Sequence, residues 1–314
     1  MFERLKLQTG PNATVAIEPG DDSNELLISV DTMVPGVHYW PEVNPTAIGA
    51  KLAAVNLSDI AAMGGDPVAA TLHVTGLDPQ APRDALWLAN FADGLNQTLD
   101  AHRASLAGTT IARGPVTLTL QIYGRCPPGR ALRRDGARAD DALYVSGTLG
   151  DAALALALEL LDDAGGLEAT IAARLHRPTP RVAIGRALRG HATAAIDLSD
   201  GLAGDLGHIC AASQLGAVIE PRSLPRSAAF DTLVGARDPL ALCLSGGDDY
   251  ELLFTAPSAS QEALSQIAAR HECPLTRIGY MTNQRTGVWL ESSPGRFEPV
   301  PSTSYDHFAG RSPD

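Results

Sequence analysis

Two periodicities divide the chain. Residues 26–31, Leu-Leu-Ile-Ser-Val-Asp, form a short apolar run that stops on a carboxylate, the pattern of a buried strand. Residues 13–17 make a shorter strand before it, and Glu18-Pro19-Gly20-Asp21-Asp22 between them reads as a turn bearing two acids. Residues 68–74 give another strand, and residues 116–123, V-T-L-T-L-Q-I-Y, alternate with a period of two and predict a strand with one wet face. Helical spacing fills the segments between. Residues 44–65 open with Asn44 as N-cap and Pro45 at the first helical position, and close on Gly64-Gly65. Residues 83–99 carry Leu86, Phe91 and Leu95 at helical spacing with Trp87 alongside, a core face, and residues 109–115 predict a polar turn.

Residues 124–141 shift to Pro, Gly and Arg and mark a junction, so the predicted domains are 1–137 and 138–314. Beyond it, strands at 142–146, 194–196, 250–255 and 277–280 alternate with helices at 151–161, 181–188, 202–212 and 260–271. Thr179-Pro180 caps the second of these helices, and Leu244 to Asp249 is a glycine turn that opens the strand at Tyr250. The order predicts two α/β domains.

One position breaks the apolar logic of the 44–65 helix. Ile48, Leu52 and Val55 recur at i, i+4 and i+7, and Asp59 falls on the same stripe, about 20° off at ~100° per residue. The plain reading is a partly solvated carboxylate near the helix end. Its company favours another, since Asp21-Asp22, Asp31, Asp197, Asp200 and Asp248-Asp249 all stand in short Gly/Ser contexts beside apolar runs. Converging carboxylates repel one another unless divalent cations lie between them. Ser199 and Asp200 also read as an N-cap pair for the 202–212 helix, whose N–H groups attract anions. His38, in the loop 32–39, is by itself a structural or exposed histidine.

Composition narrows the chemistry. With 314 residues and 45% hydrophobic content the chain builds ample core, and a net charge of −12 argues against non-specific binding to nucleic acid or anionic membrane. Lys6 and Lys51 are the only lysines, so arginine, the better bidentate phosphate ligand, supplies nearly all positive charge. Cys126, Cys210, Cys243 and Cys273 form no C-x-x-C pair, as expected of reduced thiols. No apolar run approaches ~20 residues and the first residues lack a signal-peptide core, so a cytoplasmic protein is expected. P-loop, serine-hydrolase and zincin motifs are absent. An acid-lined, lysine-poor site suits Mg²⁺ held together with substrate phosphates, and phosphoryl transfer follows.

Six stretches carry a family resemblance: Gly20-Asp21-Asp22; Ser29-Val30-Asp31-Thr32 with Gly36-Val37-His38; Asn56-Leu57-Ser58-Asp59 with Ala61-Ala62-Met63-Gly64; Asp197-Leu198-Ser199-Asp200-Gly201; Ser245 to Leu252; and Tyr305-Asp306-His307-Phe308. In order and spacing the chain resembles the thiamine-monophosphate kinases, of the aminoimidazole ribonucleotide synthetase-like superfamily. The resemblance implies that two-domain α/β (α+β) fold, a strand-rich first domain, a mixed-sheet second domain, and a homodimer paired through the first domains. It implies ATP- and Mg²⁺-dependent phosphorylation of thiamine monophosphate to thiamine diphosphate by direct in-line transfer. Asp22, Ser29, Asp31, Asp59, Asp197 and Asp200 match the family's Mg²⁺ positions, with Asp59 bridging ions. Gly108, Thr110, Arg134 and Ser199 match positions at ATP, and His38, Asp248 and Tyr305 match positions at the thiamine phosphate.

The match departs on the nucleotide and metal side. Thr110 stands where the family has a metal-binding Asp, so one ion is expected to be held more weakly; Val30 replaces a Thr and Asp248 a Glu. Two other readings stay open at this point: a weakened or non-catalytic homologue that binds thiamine phosphates, and another ATP-dependent enzyme of the superfamily.

Overall fold

The computed structural model describes residues 15–17 and 24–300, so the Asp22 and Tyr305 expectations lie outside the described residues. Strands β1 (Val15–Ile17), β2 (Glu25–Met33), β3 (Asp66–Thr75), β4 (Ser105–Ala112) and β5 (Thr117–Cys126) form one sheet in the order β1-β2-β5-β3-β4. Its pairs are antiparallel except β3 with β4. A seven-stranded sheet holds β6 (Ala142–Ser146), β7 (Ala194–Asp197), β8 (Gly216–Ile219), β9 (Leu252–Ala256), β10 (Leu275–Thr282), β11 (Gly287–Ser293) and β12 (Arg296–Val300). Its order is β12-β11-β8-β10-β6-β9-β7, and the parallel β8/β11 pair makes it mixed. The helices are α1 (Pro45–Ala62), α2 (Pro82–Ala101), α3 (Asp151–Ala157), α4 (Gly166–His176), α5 (Val182–Ala187), α6 (Leu202–Ser213), α7 (Ala228–Leu233), α8 (Pro239–Ser245) and α9 (Gln261–Arg270). Among the described residues no helix is long and apolar enough to cross a membrane.

The α1 ends form as their residues dictate. The Asn44 side chain accepts the Thr46 N–H at 2.9 Å, and Gly64 and Gly65 donate back to the Ala61 and Ile60 carbonyls, both at 2.8 Å. Gly64 takes φ +67°, the left-handed turn that glycine adopts without a steric penalty. The body of the helix departs from the one-stripe expectation. Lys51, Asn56 and Ser58 are buried along with Leu52, because α2 and the first sheet cover one side while α5, β7 and β9 cover the other. α1 is the element on which both halves pack.

Close backbone approach makes that sandwich possible. A Cβ on Gly185 of α5 would sit 1.9 Å from the Ala61 carbonyl oxygen, and one on Gly94 of α2 would sit 1.9 Å from that of Thr46. Gly185→Ala must therefore separate two backbones, and about 1–3 kcal/mol of destabilisation is expected. Gly165→Ala, in open space at negative φ, is the matched control and should stay within about 1 kcal/mol of the parent in thermal unfolding.

Several local expectations are corrected. The polar turn expected at 109–115 is mostly the edge strand β4, because parallel pairing with β3 overrides weak strand propensity. α5 begins after Arg181 with no side-chain cap bond, so Thr179-Pro180 is not its cap. α3 stops at Ala157 rather than near 161, and the strand expected from Tyr250 begins at Leu252. α4, α7, α8, β8, β11 and β12 lie outside the elements that the sequence pattern predicts, although Ser227 caps α7 and Asp238-Pro239 opens α8.

Candidate active site

Register decides which acids can meet. On β2, Leu27, Ser29, Asp31 and Met33 point to one face, the face on which Leu118, Leu120 and Ile122 of β5 are buried beneath the helices. Two polar side chains thus occupy core-facing positions opposite α1. Ser29 Oγ donates to Asp59 Oδ2. One residue earlier on α1, Ser58 Oγ donates to Asp197 Oδ2 at 2.7 Å, and Asp197 ends the edge strand β7 of the second sheet. Ser58 and Asp59 therefore join carboxylates from the two halves.

The electrostatics record the crowding. Burial first, then Asp197, pushes the Asp31 carboxyl up to about 7, while a hydrogen bond shared with Asp59 opposes the rise. Burial, Asp197 and Asp31 hold Asp59 well above the usual carboxylate range, with Ser29 and Arg134 pulling the other way. Asp197 is raised mainly by burial, and Ser58 and Arg134 oppose. Asp200 adds negative charge near Asp31 and Asp197. Arg134, from the Arg-rich junction, sets a positive charge against Asp59 and Asp197.

The donors are all oxygen, as a hard cation requires. Among the described residues no group of three or more His, Cys, Asp or Glu side chains is placed to hold a metal ion by itself.

The Ser199-Asp200 N-cap pair is corrected. The N-cap of α6 is Gly201, with no side-chain cap bond. Instead Asp205, in the first turn, reaches back, and its Oδ2 accepts the N–H groups of Ser199 and Asp200, both at 3.1 Å. Ser199 in turn takes the Asp248 N–H on its carbonyl at 2.9 Å, which ties this loop to the glycine turn. Behind that turn Glu251, fully buried, accepts from Arg174, Arg181 and Ser146 at 2.5–2.6 Å.

His38 and Asp248 come together through a residue the sequence reading passed over. Lys51 Nζ, on α1, lies 3.1 Å from Asp248 Oδ2 and 3.4 Å from the His38 carbonyl. Tyr250 belongs to the same corner: burial, then Asp248 and Asp31, push its hydroxyl well up. A lysine inside a continuous apolar helix was the available signal for Lys51; the spacing gave none for Asp205 or Tyr250.

Gly108 and Thr110 do not join this group within one chain. Asp31, Leu120, Leu72 and Thr109 form one cross-strand row, and Thr32, Thr119, His73 and Thr110 form the next. Thr110 is on the opposite face from Asp31, three inter-strand spacings or roughly 14 Å away. Both Gly108 and Thr110 are exposed.

Family models for AIR synthase related protein match this chain, the N-terminal domain over residues 10–126 and the C-terminal domain over residues 138–290. A thiamine-monophosphate kinase of Salmonella typhimurium is 41% identical over 311 residues, 98% of this chain and 94% of the relative. The solved thiamine-monophosphate kinase of Stenotrophomonas maltophilia superposes with a TM-score of 0.82 at 41% identity, covering 93% of each chain. A structure described as AaThiL complexed with AMPPCP and TMP gives a TM-score of 0.83 at 28% identity, over 94% of this chain and 90% of that one. On the two-sheet fold and these near full-length matches, the chain belongs to the thiamine-monophosphate kinase family of AIR synthase related proteins.

Proposed function

We propose that this chain transfers the γ-phosphoryl group of ATP to the phosphate of thiamine monophosphate, giving thiamine diphosphate and ADP. The observation that carries the reading is the meeting of Asp31 and Asp59 from the first half with Asp197 from the second, faced by Arg134. Its kinase relatives and the AMPPCP and TMP complex of a family member support the same substrates.

The acceptor is a phosphate oxygen already ionised at neutral pH, so no general base is needed. The oxygen forms a bond to the γ-phosphorus, the bond to the β-bridging oxygen breaks, and the electron pair leaves with ADP. Positioning and charge are what remain for the protein. Ser29, Asp31, Asp59, Asp197 and Asp200 would hold Mg²⁺, together with Asp22 outside the described residues. Bound there, the ions neutralise the phosphate oxygens that must approach one another. Arg134 and Ser199 stand on the nucleotide side, and His38 and Asp248 on the acceptor side. Product formation from ATP and thiamine monophosphate, followed chromatographically, should require Mg²⁺ and stop with a chelator. Purified protein that forms no thiamine diphosphate under these conditions overturns the reading.

We also propose a division near residue 138 and a homodimer through the open face of the first sheet. That face carries Val30, 55% exposed, with Tyr123, Gln121, Thr32 and Thr119. A second copy on it is also the arrangement that would bring β4 and Thr110 toward a carboxylate group. Thr110→Asp is then expected to lower the Mg²⁺ concentration for half-maximal activity several-fold, since a carboxylate adds the charge a hydroxyl lacks. An unchanged Mg²⁺ dependence would place Thr110 outside the site.

A further inference from the structure

Lys51 is not among the positions that the family pattern assigns, yet it touches both acceptor-side candidates. It is 4% exposed, and its ammonium bridges two loops far apart in sequence, pairing with Asp248, 197 residues along the chain from Lys51, and reaching the His38 carbonyl. A buried ammonium is costly to desolvate and is retained where its partners compensate. Its base is rigid, because α1 is locked between α2 and α5 by backbone contacts that exclude a Cβ.

Both loops need such an anchor. The His38 loop is a tight turn: its N–H donates to the Val34 carbonyl at 3.0 Å, and Nδ1 accepts the Val34 N–H at 3.0 Å. With Nδ1 accepting, the neutral ring carries its proton on Nε2. Asp248 follows two glycines at φ +67°, and Tyr250 sits at φ +48°, so the backbone there persists only if the surroundings over-determine it. Asp248 and Asp31 both act on the Tyr250 hydroxyl, so Asp248 adds a carboxylate to the corner where, on the kinase reading, an anionic phosphate would bind. The Lys51 ammonium offsets that charge.

We propose that Lys51 is a positioning residue for the phosphate acceptor, holding the His38 loop and the Asp248 carboxylate in register across the two halves and cancelling the Asp248 charge. The inference rests on the kinase reading above. The experiment is calorimetric binding of thiamine monophosphate to wild type, Lys51→Met, Asp248→Asn and the double variant, with the KM for ATP and thermal unfolding measured alongside. Lys51→Met should weaken thiamine monophosphate binding by at least about 10-fold and leave the KM for ATP within about 2-fold. The double variant should bind no worse than Asp248→Asn alone, because the two side chains act as one unit. It also keeps the test open if Lys51→Met alone fails to fold, since no unpaired charge is then left. Unchanged binding by Lys51→Met, multiplying effects in the double variant, or equal losses toward ATP would overturn the proposal while the kinase reading stands. Wild-type protein that neither binds nor phosphorylates thiamine monophosphate overturns both.

Discussion

Asp59→Asn is expected to lower turnover by on the order of 10³-fold while making the ion-free protein more stable. The loss follows from position. Asp59 lies between Ser29 and Asp31 on one side and Asp197 on the other, so its charge is the one most shared among sites that a cation would use. On the proposed reading Asp59 would hold a cation that offsets phosphate charge, and losing that carboxylate would forfeit several kcal/mol of transition-state stabilisation, which is the stated factor. The gain in stability has the same origin. Folding raises the Asp31 and Asp59 pKa values, so the folded state binds protons more tightly than the unfolded chain. That contribution is fully present below the unfolded value near 4 and is lost as pH rises through about 7 for Asp31. With chelator present, wild type should therefore lose stability between pH 4 and pH 8. The variant should lose less, standing above wild type at pH 8 and near it at pH 4. Denaturant midpoints across that pH range, with product formation at saturating Mg²⁺, check both halves. A variant no more stable than wild type at pH 8, or one slowed less than 10-fold, would show that the carboxylates do not share one field.

Glu251→Gln is expected to cost about 3–5 kcal/mol, the largest stability loss among the ion pairs here. Glu251 is fully buried, and Arg174 and Arg181 are only 15% and 18% exposed. Neutralising the carboxylate removes the charge partner shared by two largely buried guanidinium groups, leaving Arg174 only the nearby Asp249, while Ser146 loses its charged acceptor. Gly147 permits the arrangement, since a Cβ there would fall 2.2 Å from Glu251 Oε1. The consequence reaches the site. The Glu251 carbonyl holds the Leu198 N–H, and Arg174 also donates to the Asp249 carbonyl, so this pair anchors the turn that presents Asp248. Thermal unfolding should fall by roughly 10 °C. Arg226→Ala is the contrast: its pair with Asp231 is 37% and 53% exposed, and its removal should change stability by less than about 1 kcal/mol. Equal losses in the two variants would mean that burial does not set the strength of these pairs.

Much of this arrangement was readable from residues in order. Local periodicity and capping located α1 with Asn44, Pro45 and Gly64, the alternating strand β5, and the apolar run ending in Asp31, because such signals depend on neighbours within a few positions. Motif order also named Asp31, Asp59, Asp197, Arg134, His38 and Asp248. What only the tertiary structure decided is which of these share a space. The Asp59 stripe is one-sided in the sequence pattern, but α1 is buried on both sides by elements from distant parts of the chain, so Lys51 and Ser58 carry polar links that no single-face pattern reveals. Strand register decided the rest. A side chain's face depends on its partner across the ladder, which put Asp31 beneath the helices and Thr110 on the open side three strands away. The chain's own order specified the acids, and long-range pairing specified their company, because a charge is buried only where distant segments supply its partners.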